Sequence, residues 1–204
     1  MTQITRLTTE YRSKPFGIDV LSPRLAWQMD TDRLGARQTA YRVTAASQPD
    51  QLAAGAPDLW DSGKIDSDQS VQVPYAGQPL RSRQRVYWQV MVWDETGNAM
   101  TSEVAWFEMA LLDKGDWQAQ WIGTAFAGGP RSMLPVPYVR KMFTLAADVV
   151  SARLYISALG LFECSINGQT VGEDVFAPGW TDYHQRVQYL SYDVATLLHR
   201  GDNA

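Results

Sequence analysis

The sequence of 204 residues has few of the side chains that form disulfides or hold metals. It contains one cysteine, Cys164, and two histidines, His184 and His199. A single cysteine cannot form a disulfide within the chain, and the Cys/His set is too small for the usual zinc site. We therefore expect no metal and no cofactor. Because Cys164 alternates with Phe162 and Ile166, we interpret its thiol as buried and unreactive.

Long apolar runs and excess positive charge are also missing. No stretch approaches the ~20 apolar residues of a membrane span, and the N-terminus has no apolar segment of an export signal. The 22 acidic and 18 basic residues give a formal net charge of −4, which does not favour binding to nucleic-acid phosphates. We therefore expect no nucleic-acid or membrane partner, and a cytoplasmic protein unless an upstream export signal has been lost.

What the sequence does contain is 45% apolar residues, enough to bury a core. They stand in short stretches with period-two alternation between clusters of Pro, Gly, Asp and Ser, a pattern that predicts an all-β protein. Residues 1–112 contain about seven such stretches: ITRLTT, PRLAWQM, TAYRVTAA, LWDSGKI, VQVPY, RVYWQVMVWD and VAWFEMA. Seven strands in this length are typical of a fibronectin type III or immunoglobulin-like sandwich.

The stretch RVYWQVMVWD has two apolar faces. Val86, Trp88, Val90 and Val92 form the face that we assign to the core. The opposite face carries Tyr87, Met91 and Trp93, where a lone sandwich would usually be polar. We expect other parts of the protein to cover this second face.

Residues 113–204 are predicted to form a second β domain. After a Gly- and Pro-rich segment, TAFAGGPRSMLPVP, which we interpret as a surface loop, strands are predicted in YVRKMFTL, SARLYISA and VQYLSYD. The pair Asn167-Gly168 predicts a hairpin with a type I′ turn. VATLLHR is predicted to begin as a short helix capped by Gly201. A further strand is expected after this helix, so we interpret the domain as incomplete.

The sequence contains parts of several catalytic or metal-binding patterns but completes none of them. Neighbouring carboxylates occur in three pairs, which we interpret as solvated turn residues: Asp66 and Asp68, Asp94 and Glu95, and Glu173 and Asp174. Asp66, Asp68 and Ser70 alternate like calcium ligands, but the Gly and the bidentate Glu of a calcium loop are missing. Asp182, His184 and Ser191 have the residue types of a hydrolytic triad, but no nucleophile elbow accompanies them.

The segment APGWTDYHQR offers the best candidate binding residues. The rings of Trp180 and Tyr183 could pack against the C–H face of a sugar, while Asp182 could accept hydrogen bonds from its hydroxyls. The alternative is that these aromatic rings anchor a long loop to its own sheet.

The chain as a whole resembles the N-terminal region of bacterial α-L-rhamnosidases of glycoside hydrolase family 78. The resemblance extends over nearly all residues, and its most specific part is ALGLFECSINGQTVGEDVFAPGWTDYHQRVQYLSYDV. It implies a fibronectin-like sandwich at 1–112 and the start of a jelly-roll-like substrate-recognition domain at 113–204. In that family the catalytic carboxylates belong to a separate (α/α)₆ barrel, and no position of this sequence matches their motifs.

The resemblance therefore implies a non-catalytic, auxiliary part of an enzyme that releases terminal α-L-rhamnose from glycosides and glycans. Its expected partners are rhamnose-containing glycans or glycosides and the missing catalytic domain of the same protein. Two alternatives stay open. One is a free-standing tandem β-sandwich that binds carbohydrate or protein, and the other is a small hydrolase, which would need a convergent acid–base pair.

Overall fold

The computed structural model describes residues 2–124 and 135–204, so most of the predicted TAFAGGPRSMLPVP loop lies outside the described residues. The chain divides into two units, 1–117 and 118–204. The predicted domain boundary after residue 112 stays a prediction. Within the described residues, no helix has the length and apolar character needed to cross a membrane.

Unit 1 consists of two antiparallel sheets. One sheet has the order β1-β2-β5, and the other has the order β4-β3-β6-β7, with β8 also paired to β6. The strands are β1 (Gln3–Thr9), β2 (Arg24–Asp30), β3 (Gln38–Ala46), β4 (Trp60–Asp61), β5 (Val73–Pro74), β6 (Arg85–Asp94), β7 (Ala99–Thr101) and β8 (Ala105–Glu108). This arrangement confirms the predicted all-β, immunoglobulin-like class.

The core of unit 1 lies between the two sheets and follows from the period-two alternation of the strands. Val86, Trp88, Val90 and Val92 of β6 are fully buried, as predicted. Across the core, Trp27 of β2 donates its indole N–H to Gln38 Oε1 at 2.9 Å. The Gln38 amide in turn donates to the backbone carbonyls of Ser67 and Gln69, so the polar groups at this end of the core are hydrogen-bonded.

Unit 1 differs from the sequence prediction in its connections. The predicted LWDSGKI and VQVPY strands each shorten to two residues, and β7 is an additional strand. A helix that the strand pattern did not predict, α1 (Pro49–Ala53), connects β3 to β4. Pro49 starts this helix without loss of a backbone hydrogen bond, and the Gln51 side chain accepts from the Gln48 backbone N–H at 3.2 Å.

The outer face of β6 is half-buried rather than polar and open. Tyr87, Met91 and Trp93 are all of intermediate exposure. α1 packs against β3 and β6, and the Lys64 ammonium lies 4.8 Å from the centre of the Trp93 ring. Unit 1 therefore covers part of this apolar face with its own residues.

The described residues of unit 2 form the strands β9 (Phe143–Leu145), β10 (Arg153–Ile156), β11 (Ser165–Ile166), β12 (Gln169–Thr170), β13 (Leu190–Asp193) and β14 (Gly201–Asn203). They pair antiparallel as β9 with β14, β10 with β13, and β11 with β12. The predicted Asn167-Gly168 hairpin is confirmed: both residues have positive φ, 53° and 79°, as a type I′ turn requires.

The end of the chain departs from the prediction. The predicted helix reduces to a 3₁₀ turn, Ala195–Leu197, and Gly201 is the first residue of β14 rather than a helix cap. The strand expected after the helix is already formed by Gly201–Asn203. The reason is that Asn167 Nδ2 donates to the Leu197 carbonyl, and the His199 N–H donates to Asn203 Oδ1 at 3.1 Å rather than to a helical carbonyl.

Candidate functional site

The segment that carries the predicted binding residues forms a turn that is held by hydrogen bonds within the segment. The Asp182 carboxylate accepts the His184 backbone N–H through Oδ1 at 3.1 Å and the Gln185 side-chain amide through Oδ2 at 3.0 Å. The Asp182 carbonyl accepts the backbone N–H groups of Gln185 and Arg186. The Thr181 hydroxyl donates to the Arg186 carbonyl. Asp182 therefore organises the turn, and each of its carboxylate oxygens already accepts one hydrogen bond.

Trp180 and Tyr183, the two predicted aromatic residues, lie in different environments. The Trp180 side chain is 88% exposed, whereas Tyr183 is half-buried. Large aromatic side chains normally bury most of their surface when they anchor a loop. Trp180 therefore does not serve as an anchor within unit 2, and its ring is open to contact from outside.

Exposed apolar side chains also occur on two segments near Trp180. The Phe162 backbone N–H donates to the Ala177 carbonyl at 2.9 Å, which joins these two segments. They carry Leu159, Leu161, Val175 and Phe176, all of which are more than half exposed. Unit 2 thus presents Trp180 together with an apolar surface.

Tyr192 of β13 is hydrogen-bonded to the segment that precedes Trp180. The Tyr192 hydroxyl donates to Asp174 Oδ2 at 2.9 Å. Burial, followed by the Asp174 carboxylate, raises the pKa of Tyr192 to about 12, so the phenol stays protonated at neutral pH. Gly172, with φ +74°, lies under the ring: an added Cβ would be 2.3 Å from Tyr192 Cε1. Asp174 is exposed, as expected of a solvated residue, and it also accepts this hydrogen bond from Tyr192.

Two of the carboxylates considered for catalysis, Asp94 and Glu95, are paired with an arginine, and Asp94 is 3% exposed rather than solvated as predicted. Arg33 Nη2 lies 2.9 Å from Asp94 Oδ2 and 2.8 Å from Glu95 Oε1. The Thr96 hydroxyl, the backbone N–H groups of Asn98 and Thr96, and the Arg33 charge lower the pKa of Asp94 to about 2. A carboxyl group with so low a pKa is ionised at neutral pH and cannot act as a general acid.

Neither the Asp182–His184 pair nor the Cys164 thiol is arranged for nucleophilic catalysis. Asp182 meets His184 only through the His184 backbone N–H, so the carboxylate does not orient the imidazole ring as a triad requires. Burial raises the pKa of the Cys164 thiol, which favours its unreactive protonated form. Across residues 2–124 and 135–204, no group of three or more His, Cys, Asp or Glu side chains could hold a metal ion.

The sequence pattern did not indicate how Asn167 and Asn203 meet. Asn203 is 2% exposed, and its side-chain oxygen accepts from Asn167 Nδ2 at 2.8 Å. The Ala204 N–H donates to Asn167 Oδ1 at 3.0 Å. The sequence shows an Asn at a turn that favours positive φ and a second Asn two residues after His-Arg-Gly. Their pairing is non-local and follows only from the fold.

The family comparisons match both units. A model described as the Rha78A-like, N-terminal immunoglobulin domain matches residues 4–113, more than half of the chain. The chain belongs to the α-L-rhamnosidase family. A second model, the α-L-rhamnosidase N-terminal domain, matches residues 147–204 and includes the Trp180 segment. The predicted resemblance to the N-terminal region of this family is therefore confirmed.

Individual members of the family are similar over most of the chain. An α-L-rhamnosidase of Formosa agariphila is 42% identical over 93% of the chain and 21% of its own length. The solved α-L-rhamnosidase structure from Dictyoglumus thermophilum has a TM-score of 0.88 at 30% identity, over 98% of the chain and 24% of that structure. The Streptomyces avermitilis α-L-rhamnosidase, solved in complex with L-rhamnose, has a TM-score of 0.58 at 33% identity, over 100% of the chain and 21% of that structure.

The chain matches only part of the length of each relative. The chain spans about a fifth of the length of the curated relatives that it matches. The similarity is therefore confined to the N-terminal β domains that the two family models describe.

Proposed function

We propose that this chain is a non-catalytic N-terminal part of an enzyme that hydrolyses terminal α-L-rhamnose from glycosides and glycans. Its role is structural, and it assists substrate recognition beside a catalytic domain of the same protein. The observation that carries the proposal is the match of two α-L-rhamnosidase N-terminal family models to a chain that spans about a fifth of its relatives. The position of Asp94 and Asp182 in structural hydrogen bonds is consistent with this role.

In the proposed recognition site, Trp180 is the residue that contacts sugar. Its ring is exposed, and the Asp182 turn that follows it is fixed by four hydrogen bonds, so the segment loses little conformational entropy when a ligand binds. An indole face packs well against the apolar C–H face of a pyranose ring. Tyr183 adds a second aromatic edge, and Asp182 accepts from a sugar hydroxyl with a remaining lone pair.

A titration with methyl α-L-rhamnopyranoside, followed through the indole N–H signals of the ¹⁵N-labelled chain, tests this site. We expect a saturable shift of the Trp180 signal, and about tenfold weaker binding after Trp180→Ala, which corresponds to about 1.4 kcal/mol. Asp182→Ala should also weaken binding, because it releases the turn.

Trp121→Ala is the matched control, since Trp121 is another exposed tryptophan of unit 2. This variant should bind as the unchanged chain does. If Trp180→Ala and Trp121→Ala leave the titration equally unchanged, Trp180 does not contact the sugar and the recognition role fails.

A further inference from the structure

A pocket of about 150 Å³ lies on the outer face of the five-stranded sheet of unit 1, at the side of α1. Its floor is made of two cross-strand rows of the sheet. In one row Thr44 lies directly opposite Gln89, and in the other Met91 lies opposite both Arg42 and Thr101. Directly opposed side chains have Cβ atoms about 4.5–5.5 Å apart, so the two rows form one continuous platform.

The wall of the pocket comes from α1 and the segment after it. Leu52, which is buried, and Gly55 and Pro57 line this side. This part of the sheet face is concave because α1 packs beside it. The pocket therefore has an apolar wall at Leu52 and a floor that is polar except for Met91.

The polar side chains of the floor have no hydrogen-bond partner among the described residues, apart from Arg42 at the edge. Among the described residues, the side chains of Thr44, Gln89 and Thr101 make no hydrogen bond. At the edge of the pocket, Arg42 Nε and Nη2 donate to Asp61 Oδ1 and Oδ2 at 2.8 and 2.5 Å. The charges of this pair cancel, and three of the five N–H donors of the guanidinium remain available.

We propose that this pocket binds one neutral sugar ring. Two hydroxyls and one amide supply both donors and acceptors without net charge, which matches vicinal hydroxyls of a sugar better than a phosphate or a carboxylate. Met91 and Leu52 offer apolar contact to ring C–H groups. The volume is that of about five waters at ~30 Å³ each, which suits one ring and is below the ~300 Å³ of a drug-sized site.

The inference does not rest on the function proposed for Trp180, because the pocket lies in unit 1 and its ligand class follows from its own side chains. If both hold, the chain has a second contact for a branched or extended glycan.

The test is a ¹H–¹⁵N titration of the 204-residue chain with methyl α-L-rhamnopyranoside and, separately, with methyl α-D-glucopyranoside. We expect saturable shifts of the Gln89 side-chain amide and the Thr101 backbone amide with at least one of the two sugars. Gln89→Ala and Thr101→Val each remove one uncommitted polar group from a strand surface, and each should weaken binding about three- to tenfold.

Gln28→Ala is the matched control, because Gln28 is another strand glutamine and lies exposed on β2 of the other sheet. It should leave the binding constant unchanged. The proposal is overturned if neither sugar shifts the Gln89 or Thr101 signals up to ~100 mM, or if all three variants bind alike. Shifts at the Trp180 indole alone would support the function proposed above and refute this pocket.

Discussion

Substitution of Asn203 is the perturbation whose cost the structure defines best. The Asn203 side chain uses its whole hydrogen-bonding capacity. Nδ2 donates to the carbonyls of His199 at 2.8 Å and Gly201 at 2.9 Å, and Oδ1 accepts from Asn167 Nδ2 at 2.8 Å and His199 N at 3.1 Å. Through these bonds Asn203 ties the end of the chain to the β11–β12 hairpin turn.

Asn203→Ala removes all four bonds at a buried position. At a net ~0.5–1.5 kcal/mol each, their loss amounts to about 2–6 kcal/mol. Because His199 is exposed and water can reach its backbone groups, we expect the lower part of this range, about 2–4 kcal/mol. For a unit of this size the midpoint of thermal unfolding should fall by about 10–25 °C.

The assay is thermal unfolding combined with amide hydrogen exchange of unit 2. The Asn167 and Ala204 amides, which bond to Ala204 O and Asn167 Oδ1, should lose protection in Asn203→Ala. Asn203→Asp should be similarly destabilised at pH 7, because it places a carboxylate oxygen against the His199 and Gly201 carbonyls. Asn98→Ala, which removes only an exposed bond to Thr96, is the control. Wild-type stability and protection in Asn203→Asp would refute the reasoning.

Three further outcomes are expected. Gly77→Ala should destabilise unit 1 by about 1–3 kcal/mol in denaturant unfolding, because a Cβ there would lie 2.5 Å from Leu59 O and Trp60 Cβ. Gly115→Ala is the control and should have little effect, because nothing lies within 4 Å of a Cβ at that position. Equal unfolding midpoints for the two variants would contradict this. The pKa of Asp94 is lowered to about 2, so its contribution to stability is present above pH ~4 and is lost as the pH falls towards 2. In Asp94→Asn, the unfolding free energy of unit 1 should therefore depend less on pH over that range. An unchanged pH dependence would count against the Asp94 hydrogen bonds. Cys164 should react with iodoacetamide at pH 8 more slowly than a free cysteine, because the partial burial of its side chain raises the pKa of the thiol, and an equal rate would contradict this.

The sandwich of unit 1 could be predicted because its strands are locally encoded. Val86, Trp88, Val90 and Val92 alternate so regularly that only a half-buried strand fits them, and all four are fully buried. The Asn167-Gly168 turn was predictable for the same reason, since its signal is a dipeptide with a known backbone requirement.

The elements that could not be predicted depend on contacts distant in sequence. The predicted helix after Asp193 is a 3₁₀ turn because side chains of Asn167 and Asn203 take the backbone groups that a helix would use. In the candidate site, the residue types at Trp180, Asp182 and Tyr183 could be chosen from sequence, but their exposure could not. The pocket beside α1 needs a helix that the period-two pattern did not indicate.

The measurement that bears most directly on the proposed function is hydrolysis of 4-nitrophenyl α-L-rhamnopyranoside by the purified 204-residue chain. An inverting glycosidase needs two carboxyl groups roughly 6.5–9.5 Å apart with a water between them. Asp94, Asp174 and Asp182 instead bond to Arg33, to Tyr192 and to the backbone of the turn at 182–186, respectively. We expect no release of 4-nitrophenol above the rate of spontaneous hydrolysis in buffer without the protein. Turnover that is lost when a carboxylate of this chain is replaced by its amide would contradict it.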